Sequence, residues 1–286
     1  MSTYTKTSKP LVSIVVITWN AKAMLKRCLS SLKKSSYFDV ELVIVDNGSN
    51  DGTAEMIRES HPGAKLIRNG RNRGVAPARN QGLRSSRGDF LLIVDDDAYL
   101  GPGSIEKFIA FLSMNPTVGL CGPRLIDESG RRIPSCKRFP TPLSFALNRF
   151  PELVNAHNKF HLDAHLMRDW DHKTAAPVDY VIGACQFIRR KALDAVGLLD
   201  DKIFYGPEDI DFCLRLWMRR WQVYYVPEIC VVHAPRRMTK QKTWTLVSIR
   251  HALAIKHFFL KYRIGLLRNL SAKNDIARRI ILENQQ

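Results

Sequence analysis

The sequence predicts an α/β sandwich around a mostly parallel sheet, with a C-terminal helical tail. Three observations carry that prediction. Short β-branched apolar runs recur through the first hundred residues, apolar spacing of helical period falls between them, and several runs stop at polar or acidic residues. Strand and helix alternating in this way is the pattern of a sheet joined by right-handed crossovers.

Leu11 to Thr18 is the first buried strand, since a strand covered on both faces reads as a continuous apolar run. Met24, Leu25, Cys28, Leu29 and Leu32 follow at helical spacing. Glu41 to Val45 is a second strand that stops at Asp46, and the loop Asn47-Gly48-Ser49-Asn50-Asp51-Gly52 leads to a helix that Thr53 is expected to cap, running through Arg58. Ala64 to Ile67 is a short third strand and Ala76 to Ser85 a helix; Phe90 to Val94 is a strand that runs into Asp95-Asp96-Asp97. Beyond it, Val118 to Cys121 reads as a strand, Arg131 to Pro142 as a proline-bearing loop, and the polar, His-rich stretch Asn148 to Lys173 as an irregular, mobile insertion. Val178 to Ile188 resumes strand character, Pro207 to Arg219 is a helix, and Trp221 to Val226 and Ile229 to Val232 are two short strands.

The composition, 45% hydrophobic and 25% charged over 286 residues, is that of an ordinary globular chain. No stretch approaches the roughly 20 apolar residues of a membrane span. Residues 1–10 are polar and lack a signal peptide's apolar centre, so the expected location is the cytoplasm. Six cysteines without a CxxC pair suggest neither a zinc cage nor a disulfide framework. The net charge of +17 implies an anionic partner: nucleic acid, a phosphorylated substrate or an acidic membrane surface.

Ligands of open α/β sheets collect at the carboxyl ends of strands. Three such ends are polar here: Trp19-Asn20, Asp46-Asn47 and Asp95-Asp96-Asp97. The absence of G-x-G-x-x-G after the first strand and of G-x-x-x-x-G-K-[ST] argues against a dehydrogenase and a P-loop NTPase. Adjacent carboxylates repel unless a cation or protons intervene, and open oxygen sites of this kind suit Mg²⁺ or Mn²⁺. If the strand persists to the end of the triplet, Asp95 and Asp97 share one side and Asp96 takes the other. Against this stands a solvated acidic turn. Asp46 can accept from a ribose hydroxyl or a pyrimidine imide, although Asp-Asn-Gly-Ser is also an ordinary turn sequence. Arg68 to Arg79, four arginines beside Gly70 and Gly74, can hold a diphosphate or form a solvated basic loop. Glu208, Asp209 and Asp211 suit any helix start, and Asp211 pairs with Arg215 at i,i+4 spacing. Phe204 and Tyr205 beside them suggest a desolvated site able to raise a carboxyl's pKa toward a base's range. His233 counts only in combination.

In this order, these segments resemble family 2 glycosyltransferases, and most of all their bacterial rhamnosyltransferase-type members. The resemblance covers about Leu11 to Pro235 and rests on VSIVVITWN, VDNGSNDGT, NRGVAPARN, DDD, GAC, EDID and His233 together. It implies a GT-A fold and inverting displacement at the anomeric carbon of a nucleoside-diphosphate sugar. By that likeness 11–100 form the nucleotide-sugar half of the catalytic domain, 101–235 the acceptor half, and 236–286 a basic tail. Asp46 would hold the base or ribose with Thr18 and Asn20 nearby, and Asn72, Gly74 and Arg79 would line the donor pocket. Asp95 and Asp97 take the D-x-D positions, with Asp96 between them. Asp97, Asp95 and His233 would hold the metal, Asp209 would act as base, and Glu208 would position the acceptor. The Gly/Ser-rich continuation often seen after this histidine is missing. The donor would be dTDP- or UDP-linked, since both nucleotides share the imide edge.

Two rival functions compete with this one. A GT-A nucleotidyltransferase also joins a nucleotide pocket to a metal, but usually carries a Gly-rich signature near the first strand. A non-catalytic nucleotide-sugar or nucleic-acid binder would use the basic tail, and the complete acidic set argues against it and against nucleic acid as the partner. The tail from Leu246 to Leu270 reads as one helix with Leu246, Ile249, Leu253, Leu260, Ile264 and Leu267 on one face and Ile255, Phe259, Tyr262 and Leu266 on the opposite face. Basic residues flank both. One face is expected to pack on the catalytic domain, and the other to meet an anionic membrane surface or form a homodimer. A membrane placement on the cytoplasmic face suits a polyprenyl-diphosphate-linked glycan acceptor.

Overall fold

The computed structural model describes residues 9–235 and 246–263. Its strands and helices, in chain order, are β1 (Val12–Thr18), α1 (Lys22–Leu32), β2 (Val40–Asp46), α2 (Thr53–Ser60), β3 (Lys65–Arg68), α3 (Val75–Ser85), β4 (Phe90–Asp95), β5 (Ala98–Leu100), α4 (Ser104–Met114) and β6 (Val118–Ile126). They continue with β7 (Arg132–Ile133), β8 (Cys136–Lys137), α5 (Pro142–Arg149), α6 (Lys159–His165), β9 (Ala176–Pro177), β10 (Tyr180–Val181), β11 (Cys185–Arg189), α7 (Arg190–Val196), α8 (Glu208–Met218), β12 (Gln222–His233) and α9 (Leu246–Lys261).

The main sheet runs β3-β2-β1-β4-β11-β6-β12-β5. Its first four strands are parallel, as the crossover pattern predicts. β11 then enters antiparallel to both β4 and β6, and β12 lies parallel to β6 and antiparallel to β5. Alternation along the strands separates two cores. Val12, Ile14 and Val16 pack with Leu25, Leu29 and Ile57 on one face, together with Phe108 and Leu112 of α4. Val15 and Val43 face Leu83, Phe212, Leu216 and Phe258, so α3, α8 and α9 cover the other.

The structure departs from the sequence expectations at identifiable places. Thr53 is the first helical residue of α2; Gly52 holds the cap position with φ 78° and Asp51 accepts from the Thr53 amide. β4 ends at Asp95, so Asp96 and Asp97 form a turn into β5 rather than continuing the strand. The segment from 148 to 173 is folded: α6 packs on α5 through Leu147, Leu162 and Leu166, and His165 and His172 are buried. The stretch 178–188 contains two strands rather than one, and 222–233 is one strand with an irregularity between Val226 and Cys230. All six cysteines are free and five are buried, which fits the absence of a disulfide pattern.

The tail helix does present two faces. Ala254 and Phe258 are buried against the core, with Phe259 and Tyr262 packed beside them, while Ile249, Leu253 and Leu260 are exposed. Ile264, Leu266, Leu267 and Leu270 lie outside the described residues, as do 1–8 and 236–245. Helix α9 is anchored by ions as well as apolar contact. Lys261 Nζ reaches Asp211 at 2.6 Å and Asp200 at 2.8 Å, and the Tyr262 hydroxyl donates to Asp211 at 2.8 Å. Among the described residues, no helix is long and apolar enough to cross a membrane.

Candidate active site

A cavity of about 520 Å³ opens where β1 and β4 end and α8 begins. Thr18, Asn72, Gly74, Arg79, Asp95, Asp96, Asp97, Glu208, Asp209 and His233 all line it. Asp46 and Asn20 do not. The parallel register sets Thr18, Asp46 and Arg68 side by side at the ends of β1, β2 and β3. Asp46 is fully buried beneath the cavity wall: its Oδ1 accepts from the Ser49 amide at 2.9 Å, and Arg68 Nε stands 3.9 Å from its Oδ2. Neither that Oδ2 nor the buried Thr18 Oγ1 makes a hydrogen bond. Two buried oxygens without partners are costly unless a ligand satisfies them. Asn20 is turned away, with φ 48°, to accept from the Asn50 amide at 2.8 Å; it fastens the 47–52 loop to the end of β1.

Asn72 and Gly74 shape the turn before α3. Asn72 Oδ1 accepts from the Gly74 amide at 2.9 Å and from Asn47 at 3.0 Å. Gly74 has φ 97°, and a Cβ there would lie 2.6 Å from the Phe204 carbonyl oxygen, so only glycine fits.

Asp95, Asp97 and His233 converge although 138 positions separate the first from the last, and their ligand atoms lie within 4.8 Å of one another. The antiparallel pairing of β12 with β5 sets His233 opposite Ala98, and Ala234 donates to the Asp97 carbonyl at 2.9 Å. His233 Nε2 is 3.3 Å from Asp97 Oδ1, within ion-pair reach but without hydrogen-bond alignment. Asp97 Oδ1 and His233 Nδ1 are therefore buried and unsatisfied. Two carboxylates and an imidazole with unused lone pairs are a donor set that fits a divalent cation such as Mg²⁺ or Mn²⁺.

Arg79, expected to line the donor pocket, lines the cavity as the bridge between two acids. Its guanidinium is 3% exposed and donates to Asp95 Oδ1 at 2.7 Å, to Glu208 Oε1 at 3.1 Å and to the Gly183 carbonyl at 2.8 Å. Glu208 is held from its other oxygen by the Gly206 amide at 2.9 Å, so protein groups occupy both. Asp209 accepts from the Gly183 amide at 3.1 Å and from the Ile210 amide at 2.8 Å. The ion pair with Arg79 favours charged Glu208, but burial, and then the Asp209 charge, raise its pKa above the usual carboxylate range. Burial raises Asp209 too. Three carboxylates around one guanidinium cannot all be neutralised by it, so both acids hold a proton more tightly than an exposed carboxyl does.

Four basic residues of the cavity lining lacked a sequence signal: Lys137 of β8, Arg149 of α5, His165 of α6 and His251 of α9. Lys137 sits in a stretch that reads as a loop, and Arg149 and His165 in one that reads as an insertion. His251 Nδ1 meets the Tyr205 carbonyl oxygen at 2.9 Å, which makes the tail helix part of the cavity wall.

The profile of "Glycosyl transferase family 2" matches residues 13–197. An N-acetylglucosaminyl-diphospho-decaprenol L-rhamnosyltransferase of Mycobacterium tuberculosis is 25% identical over 252 residues, covering 84% of this chain and 81% of its own. The uncharacterized glycosyltransferase EpsJ of Bacillus subtilis is 30% identical over 224 residues, 77% of this chain and 59% of EpsJ. Among solved structures, the mannosyltransferase PcManGT of Pyrobaculum calidifontis, in complex with GDP-Man and Mn²⁺, is similar with TM-score 0.61 and 23% identity over 91% of this chain and 66% of that one. GalNAc-T7 with UDP, GalNAc and Mn²⁺ is similar with TM-score 0.64 and 20% identity over 87% of this chain and 48% of that one. With a family profile matching well over half its length, the chain belongs to glycosyl transferase family 2 and is a glycosyltransferase of GT-A fold.

Proposed function

We propose that the protein is an inverting transferase that moves a deoxyhexose, rhamnose by preference, from a dTDP- or UDP-linked donor to a hydroxyl of a polyprenyl-diphosphate-linked glycan. The observation that carries this reading is the joining of the Asp95–Asp97–His233 cluster and the Glu208–Asp209 pair across a single cavity through Arg79. The similarity to the mycobacterial rhamnosyltransferase over 84% of the chain supports the choice of sugar and acceptor.

Asp95, Asp97 and His233 would hold Mg²⁺ or Mn²⁺, and a cation bound there would neutralise the charge that develops on the departing diphosphate. The unsatisfied Asp46 Oδ2 and Thr18 Oγ1 are suited to a base imide or ribose hydroxyl. Asp209 takes the proton of the acceptor hydroxyl as that oxygen bonds to the anomeric carbon from the face opposite the diphosphate. Its raised pKa matches this work, because a base transfers protons best when its pKa approaches the working pH. Glu208, committed to Arg79 and the Gly206 amide, holds the turn that aims Asp209. Inversion needs no covalent intermediate, so no enzyme nucleophile is required.

The acceptor's lipid places the enzyme at a membrane surface. Exposed Ile249, Leu253 and Leu260 form an apolar stripe on α9, beside exposed Arg250, Lys256 and Arg263. Such a face lies in a lipid interface with its cations reaching the headgroups, which supports peripheral attachment to the cytoplasmic leaflet.

The decisive experiment on the chemistry is Asp209→Asn, which keeps an acceptor oxygen for the Gly183 amide and removes the base. Transfer is expected to fall by about two to four orders of magnitude with donor affinity near that of the wild type. Near-normal turnover would overturn the assignment.

A further inference from the structure

The two acids of α8 follow a short turn, Phe204 to Pro207, and a different neighbour holds each of its first three residues. The Phe204 carbonyl accepts from the Val75 amide of α3 at 2.6 Å, the Tyr205 carbonyl meets His251 Nδ1 of α9 at 2.9 Å, and the Gly206 amide donates to Glu208 at 2.9 Å. A carbonyl oxygen only accepts, so Nδ1 of His251 carries the proton. The same ring fills the space beside Gly206: a Cβ there would lie 2.2 Å from Nδ1 and 2.5 Å from Cε1, and a φ of 131° already favours glycine. Beyond Gly206, the Asp211 amide donates to the Pro207 carbonyl at 2.9 Å. The turn and the start of α8, with Asp209, are therefore one hydrogen-bonded unit.

The His251 ring is itself confined. Its centre lies 5.6 Å from that of Tyr205 and 6.2 Å from that of Phe145, and the guanidinium carbon of the adjacent Arg250 stands 4.4 Å from the Phe204 ring centre. Helix α9 has a seat apart from this contact: Ala254 and Phe258 are buried in the core, and Lys261 and Tyr262 bind Asp211 at 2.6 and 2.8 Å. The ten residues from His251 to Lys261 span about 15 Å of helix. At one end α9 grips the turn that precedes α8, and at the other it grips the first turn of α8 itself.

We infer that His251 is a positioning residue for transfer: by donating to the Tyr205 carbonyl and filling the open face of Gly206, it fixes the turn that delivers Glu208 and Asp209. This rests on the transferase reading above, in which Asp209 is the base. A reacting group displaced by about 1 Å can cost roughly 100-fold in rate, so a residue that acts through the backbone of a turn can govern kcat. The tail helix then serves the chemistry as well as the anchoring of the chain.

The test compares His251→Leu, which removes the donor at similar volume, with His251→Asn, whose side-chain amide donates from nearly the position of Nδ1. Two measurements are made on the full chain: hydrogen exchange over 204–211, which needs no substrate, and transfer from dTDP-rhamnose to a short-chain prenyl-diphospho-sugar. In the Leu variant, exchange over 204–211 should quicken by about three- to ten-fold, the factor set by one net hydrogen bond, with exchange over 254–262 unchanged. Its kcat should fall by about ten-fold or more while the donor KM stays at the wild-type value. Asn should restore most of both losses. The inference is overturned if the Leu variant matches wild type in exchange or in kcat, or if Asn fares no better than Leu. Faster exchange that spreads through 254–262 also overturns it, because His251 would then only anchor the helix, and so does a loss confined to the donor KM. A wild type that transfers nothing between these substrates removes the substrate reading alone, and exchange of the turn then decides the role of His251.

Discussion

Replacing Arg79 with methionine should destabilise the protein in a pH-dependent way, because one guanidinium serves a buried acid and a half-buried one. The substitution keeps much of the side chain's length and removes donors at 2.7 Å from Asp95 and 3.1 Å from Glu208. Asp95 keeps 28% of its side chain exposed and can rehydrate, whereas Glu208, 7% exposed, cannot. Breaking a buried ion pair from one side costs about 3 to 5 kcal/mol. For a domain of this size that corresponds to a fall in Tm of roughly 6 to 20 °C. The cost assumes a charged Glu208, and burial already raises the pKa of that group from 4.5. Loss of Arg79 raises it further. The folded state then holds the proton more tightly than the unfolded chain, so stability declines as pH climbs from the unfolded value through the raised folded one. Wild-type Glu208, raised to about 8, keeps its proton below that pH as the variant does, so the difference in Tm between wild type and Arg79→Met should be small from pH 5 to about pH 7 and grow from about pH 8 upward. Thermal unfolding in chelator, which keeps metal off Asp95, measures it across that range. A difference independent of pH, or one that shrinks as pH rises, would refute the charge argument.

Two further outcomes follow from the site and the tail. Transfer should be lost in excess chelator and return with Mn²⁺ or Mg²⁺, and Asp97→Ala should weaken metal-dependent nucleotide binding by about 100-fold or more, given that even residues behind a metal's ligands are worth 10- to 100-fold; full activity in chelator would remove the metal from the reaction. Wild type should sediment with anionic vesicles at low salt and dissociate at high salt, while Leu253→Glu with Leu260→Glu abolishes binding without disturbing the buried face of α9, since each basic residue near an anionic leaflet contributes only about 1 kcal/mol and needs the apolar anchor. Equal binding to neutral and anionic vesicles would remove the electrostatic part of the argument, and self-association through the same stripe would make it a dimer face.

The parts of this molecule that were legible in its sequence are those whose signal is local. β1, β4 and the second half of β2 are buried on both sides, so each reads as a mainly apolar run, and the acids that end β2 and β4 stand out against it. The presence of Glu208 and Asp209 in the cavity was legible because their neighbours form a recognisable set. The region from 148 to 173 was not, because α6 has only seven residues and its apolar contacts, Leu147 to Leu162 and Leu166, reach across to another short helix. Nor could periodicity show that Arg79 would meet Glu208, 129 positions away, or that His251 would close the wall at Tyr205. Asn20 carried a plausible polar signal, but its left-handed backbone turns the side chain to the 47–52 loop.

The departure from an all-parallel sheet explains how two distant acidic motifs come to share a cavity. A parallel strand beside β4 would present its C-terminal end at the cavity. Antiparallel β11 instead presents its beginning, the Gly183–Ala184 corner, and that corner meets both sides of the site. The Asp95 amide donates to the Ala184 carbonyl at 3.0 Å, Arg79 donates to the Gly183 carbonyl at 2.8 Å, and the Gly183 amide holds Asp209 at 3.1 Å. Side-chain volume at this corner is excluded: a Cβ on residue 183 would lie 2.5 Å from Arg79 Nη1, whose guanidinium is fixed between Asp95 and Glu208 and has little room to yield. Any larger residue there would displace Arg79 or the amide that holds Asp209, and so disturb Asp95 and Asp209 together. The glycine of Gly-Ala-Cys is therefore a positioning residue whose backbone sets the distance between the Asp95 and Asp209 sides of the cavity.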